Sequence, residues 1–204
     1  MKCGCDEAGR GPVIGPMVIA VVCGNDDVFR ALGVRDSKML SPQRREALFE
    51  RIHEVSDSIS HVIVKEEEID RAVSQNGLNT LEAQVISGMI REGNEYVIDC
   101  PDINERRFTD LLVKMTGNIN IRAEHKADLK YPLVSAASIV AKVLRDREVA
   151  RIRGEIGDFG SGYPSDPRTV EFLRSYFKKN GRLPPHVRKS WKTVNSITGT
   201  LDSY

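Results

Sequence analysis

Residues 5–16 read Cys-Asp-Glu-Ala-Gly-Arg-Gly-Pro-Val-Ile-Gly-Pro, and the rest of the chain is best interpreted around this stretch. Two adjacent carboxylates, Asp6 and Glu7, follow a strand-like segment and precede the glycine-flanked cation of Gly9-Arg10-Gly11. In a regular strand neighbouring side chains point to opposite faces, so both acids reach one site only if the strand ends or bulges at Glu7. The Ala8-Gly9 pair permits such a break, because glycine accepts unusual backbone dihedrals.

The composition is that of a globular protein with one unevenly charged region. The 204 residues suit one domain with room for a small appended lobe, and 40% hydrophobic with 29% charged residues is ordinary for a soluble protein. The net charge of +1 hides a basic tract, because no acidic residue lies between Glu171 and Asp202. Such a tract in a near-neutral chain indicates a specific anionic partner.

The sequence indicates neither export nor a membrane segment. The first residues lead directly into the acidic pair without a signal peptide, and no apolar run approaches membrane-spanning length. The cysteines form no Cys-x-x-Cys pair and are predicted to be small buried hydrophobes in a reducing compartment. They are Cys3, Cys5, Cys23 and Cys100. We therefore expect a cytoplasmic protein.

Hydrophobic periodicity predicts an α/β chain with parallel strand pairing. The loop at 157–167 is predicted to divide a body of residues 1–156 from a C-terminal helical part of residues 157–204. The end of the chain is basic and then weakly structured. Strands are predicted at residues 2–7, 13–23, 58–65, 96–99 and 118–123, and helices at 42–55, 66–73, 78–90, 104–115, 133–151 and 167–180.

The predicted helix at 133–151 has the most regular apolar stripe in the chain. Ala136 and Ala137 in that stripe would let the helix approach a sheet closely. The opposite face is predicted to stay polar, and it carries Ser135, Ser138, Lys142 and Arg145.

Four carboxylates have positions that suit a metal site. Asp6 and Glu7 end one predicted strand, Asp99 ends another, and Asp128 directly precedes the long helix. An all-oxygen ligand set favours Mg²⁺ or Mn²⁺, and two such ions about 4 Å apart can activate water at phosphorus. The alternative is that these acids cap helices or form ion pairs. Other acidic runs are predicted to be solvated surface, namely Asp26-Asp27 and Glu66-Glu67-Glu68.

Gly9-Arg10-Gly11 is not a dinucleotide-binding fingerprint, because Pro12 and Pro16 block the helix that this motif requires. It is interpreted either as a plain hairpin turn or as a loop that approaches a polynucleotide, with Arg10 near phosphate. The tract at 176–191 interleaves aromatic and basic residues, which is typical either of a nucleic-acid surface or of a core beside a solvated face.

Several motifs in one order resemble the type 2 ribonucleases H, or ribonucleases HII, over nearly the whole chain. The segment Arg188-Lys189-Ser190-Trp191-Lys192-Thr193 is similar to the archaeal version. The other matching segments are Asp6 to Gly11, Asp36-Ser37-Lys38, His125 to Asp128, Ser135 to Val143, Arg145-Asp146 and Gly160 to Asp166.

The resemblance implies an RNase H-like fold, with a mixed five-stranded sheet flanked by helices and a C-terminal helical part. It also implies an endonuclease that hydrolyses the RNA strand of RNA–DNA hybrids and cuts 5′ of single ribonucleotides in duplex DNA. The expected products carry 5′-phosphate and 3′-hydroxyl ends, and the expected roles are ribonucleotide removal and RNA primer processing.

By resemblance, Asp6, Glu7, Asp99 and Asp128 are the catalytic and metal-binding carboxylates, with Mg²⁺ or Mn²⁺ bound as two ions during catalysis. Asp102 lies three residues after Asp99. Asp99 is preferred because it directly ends the strand.

The resemblance further implies that the Gly9-Arg10-Gly11 loop and Tyr163 read the 2′-hydroxyl that distinguishes RNA from DNA. Arg10 and Lys38 would bind phosphates around the scissile bond, and Lys142 and Arg145 are further expected contacts. From the sequence alone Tyr163 could stack on a sugar or base, or simply fill a turn. Ser135 and Ser138 lie on the same polar helix face as Lys142 and Arg145, but the alternative for these serines is local capping or packing instead of substrate contact.

Family members often end in a peptide for the replication sliding clamp, and this chain keeps an aliphatic Leu201 and a final Tyr204 without the usual glutamine. Three other functions stay open at this stage. A binding module without catalysis would not need all four carboxylates, and a nuclease for DNA alone would not need the loop with Tyr163. A type 3 ribonuclease H is expected to carry an extra N-terminal domain.

Overall fold

The strand that carries the acidic pair is central in a mixed five-stranded sheet. A computed structural model describes residues 1–34 and 40–199. The strands are β1 (Lys2–Ala8), β2 (Met17–Gly24), β3 (Ser58–Val64), β4 (Glu95–Asp99) and β5 (Ile121–Glu124). The helices are α1 (Asp26–Leu32), α2 (Pro42–Val55), α3 (Glu66–Ser74), α4 (Leu78–Met89), α5 (Glu105–Thr116), α6 (Ala127–Lys130), α7 (Pro132–Ile156), α8 (Pro167–Asn180) and α9 (Lys192–Gly199).

The sheet has the order β3-β2-β1-β4-β5, which confirms the predicted mixed sheet. The β1–β2 pair is antiparallel, whereas β1–β4 and β4–β5 are parallel. The β1–β2 register runs without interruption to Ala8↔Val18, so the predicted break at Glu7 is wrong. What ends early is the pairing with β4, which stops at Cys5↔Ile98. Beyond Cys5, β1 therefore pairs with β2 alone.

The chain forms two compact units that interleave along the sequence. The first contains Met1–Ala8, Val18–Ile63 and Asn79–Leu144, and the second contains Gly9–Met17, Val64–Leu78 and the chain from Arg145 onward. This division differs from the predicted boundary at 156/157.

Long-range pairing is the physical reason why residues 9–17 belong to the second unit. Ile14 forms an isolated antiparallel bridge with Val187, and the Val13 amide donates to the Gly162 carbonyl at 2.7 Å. These partners are distant along the chain, so local periodicity does not indicate them. The same pairing explains why β2 begins at Met17 and not at the predicted residue 13.

In the first unit, α7 lies directly against β1. A methyl group at Gly4 would be 2.2 Å from the Leu133 carbonyl carbon, so only glycine fits there. Ala136 and Ala137 are fully buried in the same core, which agrees with the predicted close approach. The other α7 face is polar as predicted, but most of it is buried, because Ser135, Ser138 and Arg145 are buried.

The second unit has its own core, in which the start of the chain packs with its end. Val13 and Ile14 join side chains from α7, α8, α9 and the loops between them. The sequence did not predict α9, which lies in the basic C-terminal stretch, and it also missed the short helices α1 and α6. No helix in residues 1–34 and 40–199 is both long enough and apolar enough to cross a bilayer.

The cysteine prediction is correct for two residues and wrong for two. Cys5 and Cys100 are buried free thiols. Cys3 and Cys23 form a disulfide, because the antiparallel register places them directly opposite each other on β1 and β2.

Candidate active site

Two predicted metal ligands lie at corresponding positions on the neighbouring strands β1 and β4. The β1–β4 pairing ends at Cys5↔Ile98, and Asp6 and Asp99 are the next residues on the two strands. Asp6 is 5% exposed and Asp99 is half-buried. Parallel strands therefore bring two carboxylates to one edge of the sheet.

A tight connection places the third acid next to Asp99. The Ala127 amide donates to Asp99 Oδ1 at 2.7 Å, and Asp128 follows in the first turn of α6 at 3% exposure. Lys126 adopts a left-handed conformation with φ of 56°, which is uncommon for a residue with a side chain. Strained backbone of this kind often occurs at functional sites, because the surrounding structure must enforce it.

The negative charges of these acids act on one another. Burial, the negative charge of Asp99 and that of Asp128 raise the pKa of Asp6 to about 7, although hydrogen bonds from the Ser138 hydroxyl and the Glu7 amide oppose the rise. Burial also raises the pKa of the Cys5 thiol, and the charges of Asp6, Glu7 and Asp99 add to that rise. The acids therefore form one electronegative cluster.

This cluster fits a hard divalent cation by its chemistry. Carboxylate oxygens are the ligands that Mg²⁺ and Mn²⁺ prefer, and a cation would offset the mutual repulsion that raises the Asp6 pKa. In the part of the chain that the structure describes, no three His, Cys, Asp or Glu side chains already surround a common ion position. Glu7 is half-buried, and its amide donates to Asp6 Oδ1 at 2.7 Å.

Asp102, the alternative to Asp99, has a structural role in its loop. Its carboxylate accepts hydrogen bonds from Asn79 at 2.8 Å, from the Asn104 amide at 2.8 Å and from Arg107 at 2.6 Å. Burial alone would raise the Asp102 pKa, but these donors lower it to about 2. Its oxygens are thus already bound within the protein.

Ser138 is a site residue that sequence reasoning did not assign. Its hydroxyl binds the Asp6 carboxylate, and it is 1% exposed on α7. Lys142 lies one helical turn later on the same face and is half-buried. Ser135 instead donates to the Val34 carbonyl. The Ser-Ala-Ala-Ser spacing was the available signal, but it did not identify which serine contacts an acid.

In the second unit, Gly9-Arg10-Gly11 forms a loop in which the two glycines have different environments. Gly9 has φ of 91°, and a methyl group there would be 2.6 Å from Arg145 Cδ and 2.7 Å from the Pro16 carbonyl oxygen. Gly11 is exposed, and a methyl group there would be 3.5 Å from Tyr163 Cε1. Gly9 is therefore required by internal packing, whereas Gly11 lies open beside Tyr163.

Arg145 and Tyr163 lie together beside this loop. The Arg145 guanidinium is 5.7 Å from the centre of the Tyr163 ring, and Tyr163 is 41% exposed. Arg145 Nε and Nη2 are buried and have no hydrogen-bond partner among residues 1–34 and 40–199. Burial lowers the Arg145 pKa from its usual value. The pair therefore combines an aromatic face with buried N–H groups.

Side chains from the 188–191 segment and from the start of α3 have roles in the second unit that the sequence did not predict. Arg188 and Trp191, which the sequence placed in the basic and aromatic tract and in the archaeal motif, bind the Gly9-Arg10-Gly11 loop. Glu66, predicted as solvated surface, is buried at the start of α3, 3.5 Å from His186. The remaining predicted contacts, Lys38, Leu201 and Tyr204, lie outside the described residues.

Comparison with known proteins gives one consistent family. The sequence model of Ribonuclease HII matches residues 3–194. A curated Ribonuclease HII from Pyrobaculum neutrophilum is 51% identical over 194 residues, which are 94% of each chain. The crystal structure of ribonuclease H2 from Pyrococcus horikoshii OT3 is 42% identical, with a TM-score of 0.92 over 100% of this chain and 99% of that one. A PCNA:RNase HII complex from Archaeoglobus fulgidus is 45% identical, with a TM-score of 0.89 over the full length of both chains.

Proposed function

Because this chain belongs to the ribonuclease HII family, in its archaeal form, we propose that it hydrolyses the RNA strand of RNA–DNA hybrids and cuts 5′ of single ribonucleotides in duplex DNA. The family is one of metal-dependent endonucleases. The proposed products carry 5′-phosphate and 3′-hydroxyl ends, and the proposed roles are ribonucleotide removal and RNA primer processing. The observation that carries this proposal is the position of Asp6 and Asp99 directly after the last β1–β4 register pair, with buried Asp128 next to Ala127, whose amide binds Asp99.

Asp6, Glu7, Asp99 and Asp128 are the proposed ligands of two Mg²⁺ or Mn²⁺ ions. Because β1 stays regular at Glu7, this side chain leaves the opposite face from Asp6 and would reach the ions around the side of β1 that no longer pairs with β4. Bound there, such ions supply a nucleophilic water and stabilise the leaving oxygen at phosphorus. The chain's own contribution is to orient the ligands before metal arrives. The Ser138 hydroxyl holds Asp6 and the Ala127 amide holds Asp99, so each keeps its carboxylate in place despite the repulsion between them.

The Gly9-Arg10-Gly11 loop and Tyr163 are the proposed readers of the ribose 2′-hydroxyl. The exposed Tyr163 ring lies next to Gly11, which is itself exposed and carries no side chain, so a sugar can approach both. Arg10 and Lys38 are proposed to bind phosphates, and Lys142 and Arg145 are proposed as further contacts. Arg145 suits this role because its buried N–H groups need an acceptor.

We expect the protein to cleave duplex DNA that contains one ribonucleotide when Mg²⁺ or Mn²⁺ is present, and not when EDTA replaces them. The measurement is denaturing gel analysis of a strand labelled at its 5′ end, with an all-DNA duplex of the same sequence as the control. A product that ends in a 3′-hydroxyl just before the ribonucleotide is expected. Absence of cleavage with either metal would contradict the proposed function.

The same assay tests the reader role through a Tyr163→Ala arm. We expect cleavage to fall by about 10-fold or more, since stacking on a sugar or base contributes roughly 1–3 kcal/mol. Duplex affinity should change less, because phosphate contacts from basic residues supply most of it. Equal losses of cleavage and duplex affinity would show that Tyr163 only contributes binding.

We also propose that the C-terminal Leu201 and Tyr204 bind a replication sliding clamp. The support is the aliphatic and aromatic pattern at 201 and 204, together with the PCNA complex of the Archaeoglobus fulgidus relative. In a pull-down with the cognate clamp, we expect the full chain to be retained and a Leu201→Ala/Tyr204→Ala variant to be lost. Equal retention of both proteins would exclude this interaction, and equal cleavage activity would confirm that the variant is folded.

A further inference from the structure

Arg188 is among the largest fully buried side chains of the described residues, and it is 0% exposed. Its guanidinium donates three hydrogen bonds, all to backbone carbonyls. Nε donates to the Gly15 carbonyl at 2.9 Å, Nη1 to that of Arg10 at 2.9 Å and Nη2 to that of Gly9 at 2.6 Å. A buried cation normally needs a carboxylate or several acceptors, so this side chain is committed to the loop's backbone.

Trp191 completes the contact with the loop. Its ring lies 5.0 Å from the Arg188 guanidinium carbon, and its Nε1 donates to the Gly11 carbonyl at 3.1 Å. The carbonyls of Gly9, Arg10 and Gly11 are therefore all bound by two side chains from one segment. The loop presents its acceptor atoms to Arg188 and Trp191, which leaves these atoms unavailable to a ligand.

The direction of the loop's donors follows from the direction of its carbonyls. A trans peptide unit is planar, so the N–H of each residue points opposite to the carbonyl of the residue before it. Because Arg188 binds the carbonyls of Gly9 and Arg10, the amides of Arg10 and Gly11 point away from Arg188. The loop is thereby oriented toward ligands that carry acceptor oxygens, such as a sugar hydroxyl or a phosphate.

The segment that holds the loop is itself anchored to α3. Asp70 accepts hydrogen bonds from the Lys189 amide at 2.8 Å, from the Ser190 amide at 2.9 Å and from the Ser190 hydroxyl at 2.6 Å. The Arg188 amide donates to the Val13 carbonyl at 2.9 Å, just after the loop. This anchoring leaves the guanidinium little freedom, so the carbonyls it binds are held in one orientation.

We propose that Arg188 is a positioning residue, which holds the Gly9-Arg10-Gly11 loop so that its amides and the Arg10 side chain meet the ribose and phosphate of the substrate. This inference rests on the proposed function. Only a planar guanidinium serves three acceptors in a fixed fork, so lysine cannot replace it fully. Burial and the nearby Arg145 cation lower the Arg188 pKa to about 10, although the charges of Glu66 and Asp70 oppose this, so the side chain stays protonated at neutral pH.

The test measures the single-turnover cleavage rate of duplex DNA with one ribonucleotide, and separately the Kd for that duplex in EDTA. For Arg188→Met we expect a rate about 10²-fold lower, the scale of a roughly 1 Å misplacement of reacting groups. The Kd should change little, because the basic residues that bind phosphate remain. Arg188→Lys should give an intermediate rate.

A milder variant keeps the proposal testable if Arg188→Met does not fold. Trp191→Phe keeps an aromatic ring and removes the single hydrogen bond to Gly11, so its rate should fall by about 5-fold. Arg30→Met is the matched control for the loss of one charge. Arg30 is exposed on α1, which follows the end of β2 that pairs with Lys2, at the opposite end of β1 from Asp6. The cleavage rate of Arg30→Met should equal that of the wild type.

Slower cleavage at unchanged Kd, with recovery in Arg188→Lys, supports the positioning role. Two results overturn it while the proposed function stands. One is an unchanged cleavage rate in the Arg188 and Trp191 variants, and the other is a parallel loss of duplex affinity, cleavage rate and thermal stability. If the wild type does not cleave the duplex, the proposed function is wrong and the inference fails with it.

Discussion

Asp6→Asn is expected to lower kcat on a ribonucleotide-containing duplex by at least about 10³-fold at saturating Mg²⁺. Asparagine keeps the size and the hydrogen bond to Ser138 but removes the negative charge that a divalent cation needs. Asp6 and Asp99 directly follow the last register pair of β1 and β4, and without Asp6 that end of β1 keeps Glu7 as its one carboxylate. Steady-state cleavage kinetics, with enzyme concentration checked by absorbance, measure the effect.

The stability of the same variant separates a catalytic loss from misfolding. Burial and the charges of Asp99 and Asp128 raise the Asp6 pKa to about 7, so native Asp6 binds a proton between pH 4 and 7 that the unfolded chain does not hold. Ionised Asp6 therefore destabilises the metal-free protein above pH 7. In EDTA at pH 8, Asp6→Asn should have a higher Tm than the wild type, and the gain should shrink at pH 5. A lower Tm at both pH values would contradict this account.

Asp102→Asn is the matched control, because its expected effect is the reverse. Asn79, Asn104 and Arg107 stabilise the Asp102 carboxylate and lower its pKa to about 2. Removing that charge should lower the Tm at neutral pH while leaving cleavage by the folded protein largely intact. Loss of cleavage without loss of stability would make Asp102, and not Asp99, the better ligand.

Gly9→Ala is expected to destabilise the protein strongly and to displace the Gly9-Arg10-Gly11 loop. The left-handed backbone costs alanine about 1–2 kcal/mol. The new methyl would also overlap Arg145 Cδ at 2.6 Å and the Pro16 carbonyl oxygen at 2.7 Å, and such overpacking costs roughly a further 1–3 kcal/mol. Thermal or urea unfolding measures the loss, and cleavage should fall with it because the loop must move.

Gly11→Ala provides the comparison, with the same chemical change two residues away. The closest atom to its methyl would be Tyr163 Cε1 at 3.5 Å, which is ordinary contact, so the Tm should stay close to that of the wild type. A methyl there would nevertheless stand beside the exposed Tyr163 ring, so cleavage should decrease more than stability. If both variants lost the same stability, the internal role assigned to Gly9 would be incorrect.

Much of the fold was predictable, because it depends on local patterns. Apolar periodicity identified α2, α4 and α7, other local patterns identified α3, α5 and α8, and apolar runs identified the five strands of the sheet. Helices α1, α6 and α9 were missed because short or basic segments carry little apolar periodicity. Strand β2 was predicted too long, because Val13 and Ile14 are apolar but pack in the second unit.

The carboxylates were predictable for a different reason. Charge at the end of an apolar strand is costly without a partner, so Asp6 and Asp99 stood out from the surface acids. The same rule failed for Glu66, whose burial depends on packing with the distant His186. The expected break in β1 was also wrong, because the strand separates from β4 and keeps its pairing with β2.

The sequence by itself determined which residue types are present, where strands and helices form, and which family motifs the chain carries. All of these depend on neighbours within a few positions. Only the tertiary structure decided that Ser138 holds Asp6 and that Arg188 binds carbonyls 173 to 179 residues away. The first contact arises because α7 packs on β1 in the first unit, and the second because the 188–191 segment packs on the Gly9-Arg10-Gly11 loop in the second unit. A hydrogen bond between distant residues leaves no periodic pattern in the sequence around either partner.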